Sequence, residues 1–305
     1  MAFLIQLCFE GIALGCIYAL IALGFAIIFK ASEVINFAQG EFLLVGAYIV
    51  SAGTYDWGLG FFPALLLGVA ATVIIGILFE RFALRRMIGR PIFAILMITI
   101  GLDTLLRTGV IIKWGPNVRA AATPFTLGGG FNVGDVHAGN GVHFGASELW
   151  TIAVTIVVCI LLFFFFRFTK YGLAMRATAI DQEAALATSI NIRFVYALAW
   201  GIAGAIATIG GVFLAIQSVG FDTTLGQTAL LAFPAIILGG LDSVVGAVVG
   251  GILIGLTQDL TGGYESHFSN ILGAGFHDIA PYILMIIILF IRPYGLFGTR
   301  KVERV

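Results

Sequence analysis

Polar residues interrupt the apolar pattern of this chain at two places, and their types suit contact with a charged or zwitterionic solute. They are Asn36, Gln39 and Glu41 in the first break, and Thr223, Thr224 and Gln227 in the second. A side-chain oxygen followed three residues later by Gln resembles a capping box, so we expect a helix to begin at each break. A helix start carries roughly half a unit of positive charge, which attracts a carboxylate. Both breaks are therefore predicted to line a solute path, with a cytoplasmic turn as the alternative for the first.

Charged residues also lie inside the apolar segments. Asp103 and Arg107 are four residues apart, which places them on one helical face and favours a mutual ion pair. A direct role in contacting a solute is the alternative. Glu10 lies near the end of the first apolar run, where either an interfacial position or a solute contact would explain it.

Residues that bind metals or attack substrates do not cluster in this sequence. The candidates are four histidines and three cysteines: His137, His143, His267, His277, Cys8, Cys16 and Cys159. Their spacing matches no zinc site, and neither H-E-x-x-H nor G-x-S-x-G occurs. We therefore expect no catalytic residue, no metal and no cofactor, and we expect that the chain is not an enzyme. Since G-x-x-x-x-G-K-[ST] is also missing, any work driven by ATP would need a separate subunit.

The composition indicates which elements must hold these residues. The 305 residues are 60% hydrophobic and only 10% charged, which is typical of a polytopic membrane protein in contact with lipid. We predict an all-α helical bundle of about eight or nine hydrophobic segments, forming a single permease domain over residues 1–305. Two helices should be interrupted or re-entrant. The breaks suggest an approximate internal repeat, in which Asn36 corresponds to Thr224 and Gln39 to Gln227.

The distribution of basic residues predicts the orientation of the segments. Lys and Arg cluster in residues 81–90, 167–193 and 292–304, which places these stretches on the cytoplasmic side together with the C-terminus. Residues 115–148 and 262–278 hold few basic residues and should face the periplasm, the former as an exposed loop with turns or a small hairpin. The first apolar run is expected to be a retained span with its N-terminus outside. The net charge of zero does not favour nucleic acid as a partner.

The longest polar stretch, residues 167–193, is predicted to contain a surface helix over residues 177–189. Asp181 and Glu183 would form an acidic first turn, followed by Ala184, Ala185 and Ala187. A helix between two spans could dock a soluble subunit. An ordinary solvated loop is the alternative.

Several motifs resemble those of the permeases of branched-chain amino-acid ABC importers, in particular the LivH-type subunit. Residues 176–191 match the pattern R-A-x-A-x-D-x-x-x-A-x-x-x-S-I-N of the family's coupling loop. INFAQGEFLLVGAY at 35–48, LGGLDSVVGAVVGGILIG at 238–255 and RPYGLFG at 292–298 extend the likeness over nearly the whole chain. The family usually has Gly at the position of Ser189. The members that this chain most resembles have uncharged polar residues at the positions of Asp103 and Arg107.

The resemblance implies a multi-pass protein of the bacterial inner membrane that moves branched-chain or other hydrophobic amino acids. Its implied partners are a second homologous permease, two ATP-binding cassette subunits and a periplasmic substrate-binding protein. The implied ATPase-coupling residues are Arg176, Asp181, Glu183, Ala184, Ala185 and Ser189. A permease of the same family for urea, short amides or small carboxylates is one alternative. An independent secondary transporter or channel is another, although the few ionisable residues in the spans favour it less.

Overall fold

A computed structural model describes residues 2–87, 90–124, 136–138, 142–180, 185, 187, 190–218, 220–266 and 275–299. These residues form helices and one two-stranded antiparallel hairpin. The helices are α1 (Ala2–Ser32), α2 (Gln39–Tyr55), α3 (Phe61–Phe82), α4 (Ile92–Trp114), α5 (Ala146–Phe168), α6 (Lys170–Ile180), α7 (Ile192–Gln217), α8 (Leu225–Thr228), α9 (Phe233–Gly239), α10 (Val244–Gly263) and α11 (Phe276–Ile291). Short 3-10 turns lie at Leu84–Met87 and Ala229–Ala232.

Six of the described helices are long and apolar enough to cross a membrane: α1, α3, α4, α5, α7 and α10. Shorter apolar helices cover Leu225–Gly239 and Phe276–Ile291, and α2 has 17 residues. The prediction of a polytopic helical protein is therefore confirmed. In both halves a long helix, α1 or α7, leads through a break into a shorter one, as the internal repeat requires.

The hairpin lies in the loop that was expected to contain turns or a small hairpin. Its strands are β1 (Val136–Ala138) and β2 (Val142–Phe144), and His137 is paired with His143 in the register. The described part of this loop thus adopts the second of the two expected forms.

The chain divides into two compact units. The first contains Met1–Ala26, Val133–Thr155 and Leu231–Val305, and the second contains Ile27–Asn132 and Ile156–Leu230. A single domain over residues 1–305 stays a prediction.

In the second unit, α2 lies at the centre and packs against α3 and α7 through small residues. Nearly every residue of α2 is buried. A Cβ added to Gly46 would lie 2.7 Å from the Cα of Thr208, so the backbones of α2 and α7 are in direct contact. The hydroxyls of Thr72 in α3 and Thr208 in α7 are 2.7 Å apart, which joins these two helices by a buried hydrogen bond. This packing fixes α2, which carries the first group of site residues.

In the first unit, α10 packs against α1 through glycines on both helices. A Cβ added to Gly15 would lie 2.7 Å from the Cα of Ile252, and Gly251 meets the backbone of Ala19 equally closely. The Tyr18 hydroxyl donates to Oε1 of Gln258 at 2.7 Å and joins the same two helices. These glycines therefore allow close packing against a helix of the same chain.

Candidate functional site

The first break begins where α1 ends. Glu33 follows the last helical residue with a left-handed φ of 55°, which terminates the helix. The chain then turns at Asn36, whose Oδ1 accepts a hydrogen bond from the N–H of Ala38 at 3.1 Å. Such a turn, closed by a side chain two residues earlier, is a characteristic use of Asn and Asp. It delivers the chain to the start of α2 at Gln39.

The second break uses the same device. Oδ1 of Asp222 accepts from the N–H of Thr224 at 2.7 Å and from its hydroxyl at 2.6 Å, directly before α8 begins at Leu225. These two bonds, the hydroxyl contributing more, hold the pKa of Asp222 below its usual range. The carboxylate that closes this turn is therefore ionised at neutral pH.

The two turns correct the predicted register of the repeat. Asn36 corresponds to Asp222, not to Thr224, because each lies three residues before its helix. The predicted capping boxes are also wrong: the amides of Asn36 and Gln39 bond to each other at 3.4 Å, and Thr224 makes no side-chain capping bond. The side chain of Asn or Asp is short and accepts from the N–H two residues later in the chain. The N–H three residues later, that of Gln39, donates instead to the backbone carbonyl of Asn36.

The breaks meet at a pair of glycines inside the second unit. A Cβ on Gly40 would collide with the carbonyl oxygen of Gly226, and a Cβ on Gly226 would lie 2.8 Å from Cδ of Glu41. In the corrected register Gly40 and Gly226 are themselves equivalent. The first turns of α2 and α8 thus touch backbone to backbone, and the predicted site residues of both breaks are brought together.

Burial divides these residues into two groups. Asn36, Gln39 and Glu41 are completely buried. Gln39 also donates from Nε2 to the carbonyl of Ala203 in α7 at 3.3 Å. The second break is open, with Thr223 half-buried and both Thr224 and Gln227 exposed. The second break is therefore the more accessible of the two.

A cavity of about 190 Å³ lies along the second break. It is lined by Val118, Ser218, Gly220, Phe221, Asp222, Thr224, Leu225 and Thr228. This segment is held by two backbone hydrogen bonds between Phe221 and Arg119, at 2.8 and 3.0 Å. The Phe221 ring meets the buried ring of Tyr48 edge to face at 5.0 Å. Sequence reasoning missed this cavity, because Val118 and Arg119 come from a distant loop.

An ion pair connects the first break with α4. Arg107 donates to Oε1 of Glu41 from Nε at 3.0 Å and from Nη2 at 2.5 Å. The expected ion pair between Arg107 and Asp103 is wrong: within the described residues, no contact shorter than 4.0 Å joins their charged atoms. The reason is that Glu41 is fully buried and needs a cation, whereas Asp103 is only partly buried.

Only part of the predicted coupling segment is described. Within the predicted surface helix, the described residues 177–180, 185 and 187 are helical. The first four belong to α6, which begins earlier, at Lys170, where the Thr169 hydroxyl accepts from the N–H of Gly172 at 3.0 Å and caps the helix. Arg176 is exposed on α6 and Ala185 is buried. Asp181, Glu183, Ala184 and Ser189 lie outside the described residues.

Asn191, the last residue of the motif, has a structural role that was not predicted from the sequence. Its Oδ1 accepts from the N–H of Phe194 at 3.2 Å and caps α7. An Asn just before a long apolar run could have been recognised as a capping residue. The motif thus connects α6 to the start of α7.

Comparisons with known proteins give this architecture a family. The family model described as branched-chain amino acid transport system / permease component matches residues 7–289. The chain is 30% identical to the high-affinity branched-chain amino acid transport system permease protein BraD of Pseudomonas aeruginosa, covering 97% of this chain and 96% of that protein. It is also 30% identical to LivH of Escherichia coli K12, covering 99% and 98%. LivM of the same strain is 24% identical, over 94% of this chain and 69% of that protein.

A solved structure has the same type of fold. It is PsaBC from Streptococcus pneumoniae in complex with Fab, with a TM-score of 0.50 and 15% sequence identity, covering 97% of this chain and 94% of that chain. At this identity the likeness concerns the fold alone. The family is assigned by the match over residues 7–289 and by the two relatives at 30% identity. The chain belongs to the family of permease components of branched-chain amino acid transport systems.

Proposed function

We propose that this chain is the membrane permease subunit of an ABC importer that moves branched-chain or other hydrophobic amino acids inward. The observation that carries the proposal is the full-length similarity to BraD and LivH, both named as permease proteins of high-affinity branched-chain amino acid transport. Because the similarity covers almost all of each protein, it includes both breaks and the coupling segment. Import of urea, short amides or small carboxylates, and independent secondary transport, are the alternatives to be tested.

We infer that the chain works beside a second, homologous permease. In Escherichia coli K12 two permease proteins of one kind of system, LivH and LivM, are both similar to this chain. Two ATP-binding cassette subunits and a periplasmic substrate-binding protein complete the proposed assembly. We place residues 167–193 against an ATP-binding subunit. Arg176 is exposed and available for contact, whereas Ala185 is buried.

The proposed path runs along the two breaks. Non-helical backbone at membrane depth is tolerated where it is buried in protein or lines water, and the first break is buried while the second borders the cavity. The contact between Gly40 and Gly226 is the closed point of this path. ATP-driven movement of the coupling segment would separate the two first turns and give access from one side at a time.

The proposed orientation follows the basic residues. Residues 81–90, 167–193 and the C-terminus are assigned to the cytoplasm of a bacterial inner-membrane protein. A single cysteine at Arg85 should be labelled by impermeant reagents only from the cytoplasmic side, and one at Asn132 only from outside. Labelling of the Arg85 position from outside would overturn the orientation.

The function is tested with the complete complex in proteoliposomes. Uptake of labelled leucine, isoleucine and valine should require ATP and the binding protein, and urea should not be taken up. Ala185→Trp should leave ATP hydrolysis measurable but separate it from uptake, because a large ring cannot fit a site that is 3% exposed. Ala185→Ser is the matched control. Uptake driven by a proton gradient without ATP would establish a secondary transporter instead.

A further inference from the structure

We propose that Glu41 and Arg107 together bind the charged head group of the amino acid during its passage. In this proposal the substrate ammonium donates to Oε2 of Glu41, while the substrate carboxylate accepts from Arg107. The inference rests on the proposed function and adds the residues that would select a zwitterion.

The ion pair uses only half of the Glu41 carboxylate. Both Nε and Nη2 of Arg107 donate to Oε1, while the buried Oε2 has no hydrogen-bond partner. Glu41 is entirely buried, so this oxygen is removed from bulk water. A charged oxygen without a donor is unfavourable at such a position, and a charged donor that arrives there is bound correspondingly well.

A second ion pair in the same unit shows what a closed arrangement looks like. Nε of Arg85 donates to Oε1 of Glu80 at 3.3 Å and Nη2 donates to Oε2 at 2.9 Å, so that both carboxylate oxygens are used. Its burial is nearly the same, with the Glu80 side chain 0% and the Arg85 side chain 31% exposed, against 0% and 28% for Glu41 and Arg107. Of these two pairs, only the one at the breaks leaves a carboxylate oxygen open.

Arg107 retains donors for an anion. A guanidinium has five N–H groups, and only those on two nitrogens, Nε and Nη2, are directed to Glu41. The remaining N–H groups of Arg107 have no acceptor among the described residues, and its side chain is 28% exposed. An α-amino acid carries its ammonium and its carboxylate on one carbon, so it presents both charges to two neighbouring groups at once.

The position of the pair suits this role. The carboxylate of Glu41 lies against Gly226, whose neighbour Leu225 lines the cavity. Because Gly226 has no side chain, only its backbone stands beside the carboxylate. Each of the four charges in the loaded site has an opposite partner. A solute without an ammonium or without a carboxylate leaves one of them uncompensated.

The experiment compares variants of both pairs in the complete complex at saturating amounts of leucine-loaded binding protein. Glu41→Gln/Arg107→Gln removes both charges, so no buried charge is left unpaired and the complex should keep the thermal unfolding temperature of the wild type. Leucine uptake per ATP should nevertheless fall about ten- to a hundredfold, since charge-assisted hydrogen bonds to the substrate are lost. Glu80→Gln/Arg85→Gln is the matched control and should keep uptake within about twofold by the same reasoning. The single variant Arg107→Lys keeps the positive charge but loses the paired N–H donors of the guanidinium. Its leucine uptake should lie between that of the wild type and that of Glu41→Gln/Arg107→Gln.

If the ion pair has only a structural role, removal of both charges together should leave leucine uptake at the wild-type level. Normal leucine uptake by Glu41→Gln/Arg107→Gln would overturn the inference while the importer function stands. If the wild-type complex takes up no amino acid, the proposed function itself fails, and the inference fails with it.

A measurement on the wild type decides the matter if the double variant does not fold. Thermal unfolding of the complex without its binding protein is followed in millimolar leucine, leucinamide and 4-methyl-2-oxopentanoate. Leucine should raise the unfolding temperature, whereas the amide, which lacks the carboxylate, and the oxo acid, which lacks the ammonium, should not. Equal stabilisation by all three would refute recognition of the zwitterion.

Discussion

The contact between the two breaks leads to a direct prediction for Gly40→Ala. A Cβ at this position would collide with the carbonyl oxygen of Gly226, and a backbone atom cannot turn aside as a flexible side chain can. Overpacking of this kind costs about 1–3 kcal/mol. The substitution also gains up to about 1 kcal/mol, because Ala favours a helix more than Gly does. We therefore expect a net loss of roughly 1–2 kcal/mol in the free energy of unfolding.

Gly109→Ala is the matched control. Gly109 lies in α4, and nothing is found within 4 Å of a Cβ built there. The same change should therefore stabilise the protein by about 0.5–1 kcal/mol through helix propensity alone. Both variants are compared with the wild type by thermal unfolding of the detergent-solubilised complex, followed by intrinsic tryptophan fluorescence.

The two variants should move the unfolding temperature in opposite directions. If Gly40→Ala is as stable as Gly109→Ala, the first turns of α2 and α8 do not touch, and the closed point of the proposed path lies elsewhere. If Gly40→Ala is destabilised but transports normally, the contact is only structural. Loss of uptake in a folded Gly40→Ala complex is the result we expect, because the path would then be held partly open.

Three further predictions concern the same unit. Thr208→Val should cost only about 1 kcal/mol in unfolding experiments, because Thr72 keeps its bonds to the carbonyls of its own helix. Asp222→Asn should lower the unfolding temperature at pH 7. Because hydrogen bonds lower the pKa of Asp222, the difference in unfolding temperature between wild type and variant should shrink as the pH falls through and below about 4. A difference that does not change with pH would contradict an ionised Asp222. A cysteine at Thr224 should react with water-soluble thiol reagents in the resting complex, whereas one at Asn36 should react only during ATP hydrolysis; equal resting rates would remove the assignment of the path.

The existence of the helices and the position of the breaks could be predicted from the sequence. Long apolar runs fix the spans, and Asn, Gln, Thr and Gly within such runs mark the breaks. The register of the repeat could not be predicted in the same way. Asn36 and Thr224 both have Gln three residues later, so the capping-box pattern was met by the wrong pair. The structure shows that Asp222 makes the turn, and only the hydrogen bonds distinguish these choices.

The partner of Arg107 was predicted wrongly for a related reason. A spacing of four residues places Asp103 on the same helical face, and this local pattern was the only one visible in the sequence. Glu41 lies 66 positions away from Arg107 and reaches it through the packing of α2 against α4. Sequence spacing says nothing about which of two acids is more deeply buried, yet burial decides which one needs the cation more. The cavity was missed likewise, because its lining combines residues from separate segments.

In the corrected register the repeat has equivalent backbones but different charges. Gly40 corresponds to Gly226, Asn36 to the acid Asp222, and the acid Glu41 to Gln227. The carboxylate of Asp222 closes a turn with Thr224 in the exposed break, whereas that of Glu41 pairs with a cation at the buried break. Among the described residues, Glu41 alone has a buried carboxylate oxygen without a hydrogen-bond partner. A repeat that had kept the same charges in both halves would bind a solute equally on both sides of the glycine contact, so this asymmetry can give the proposed path a preferred binding point.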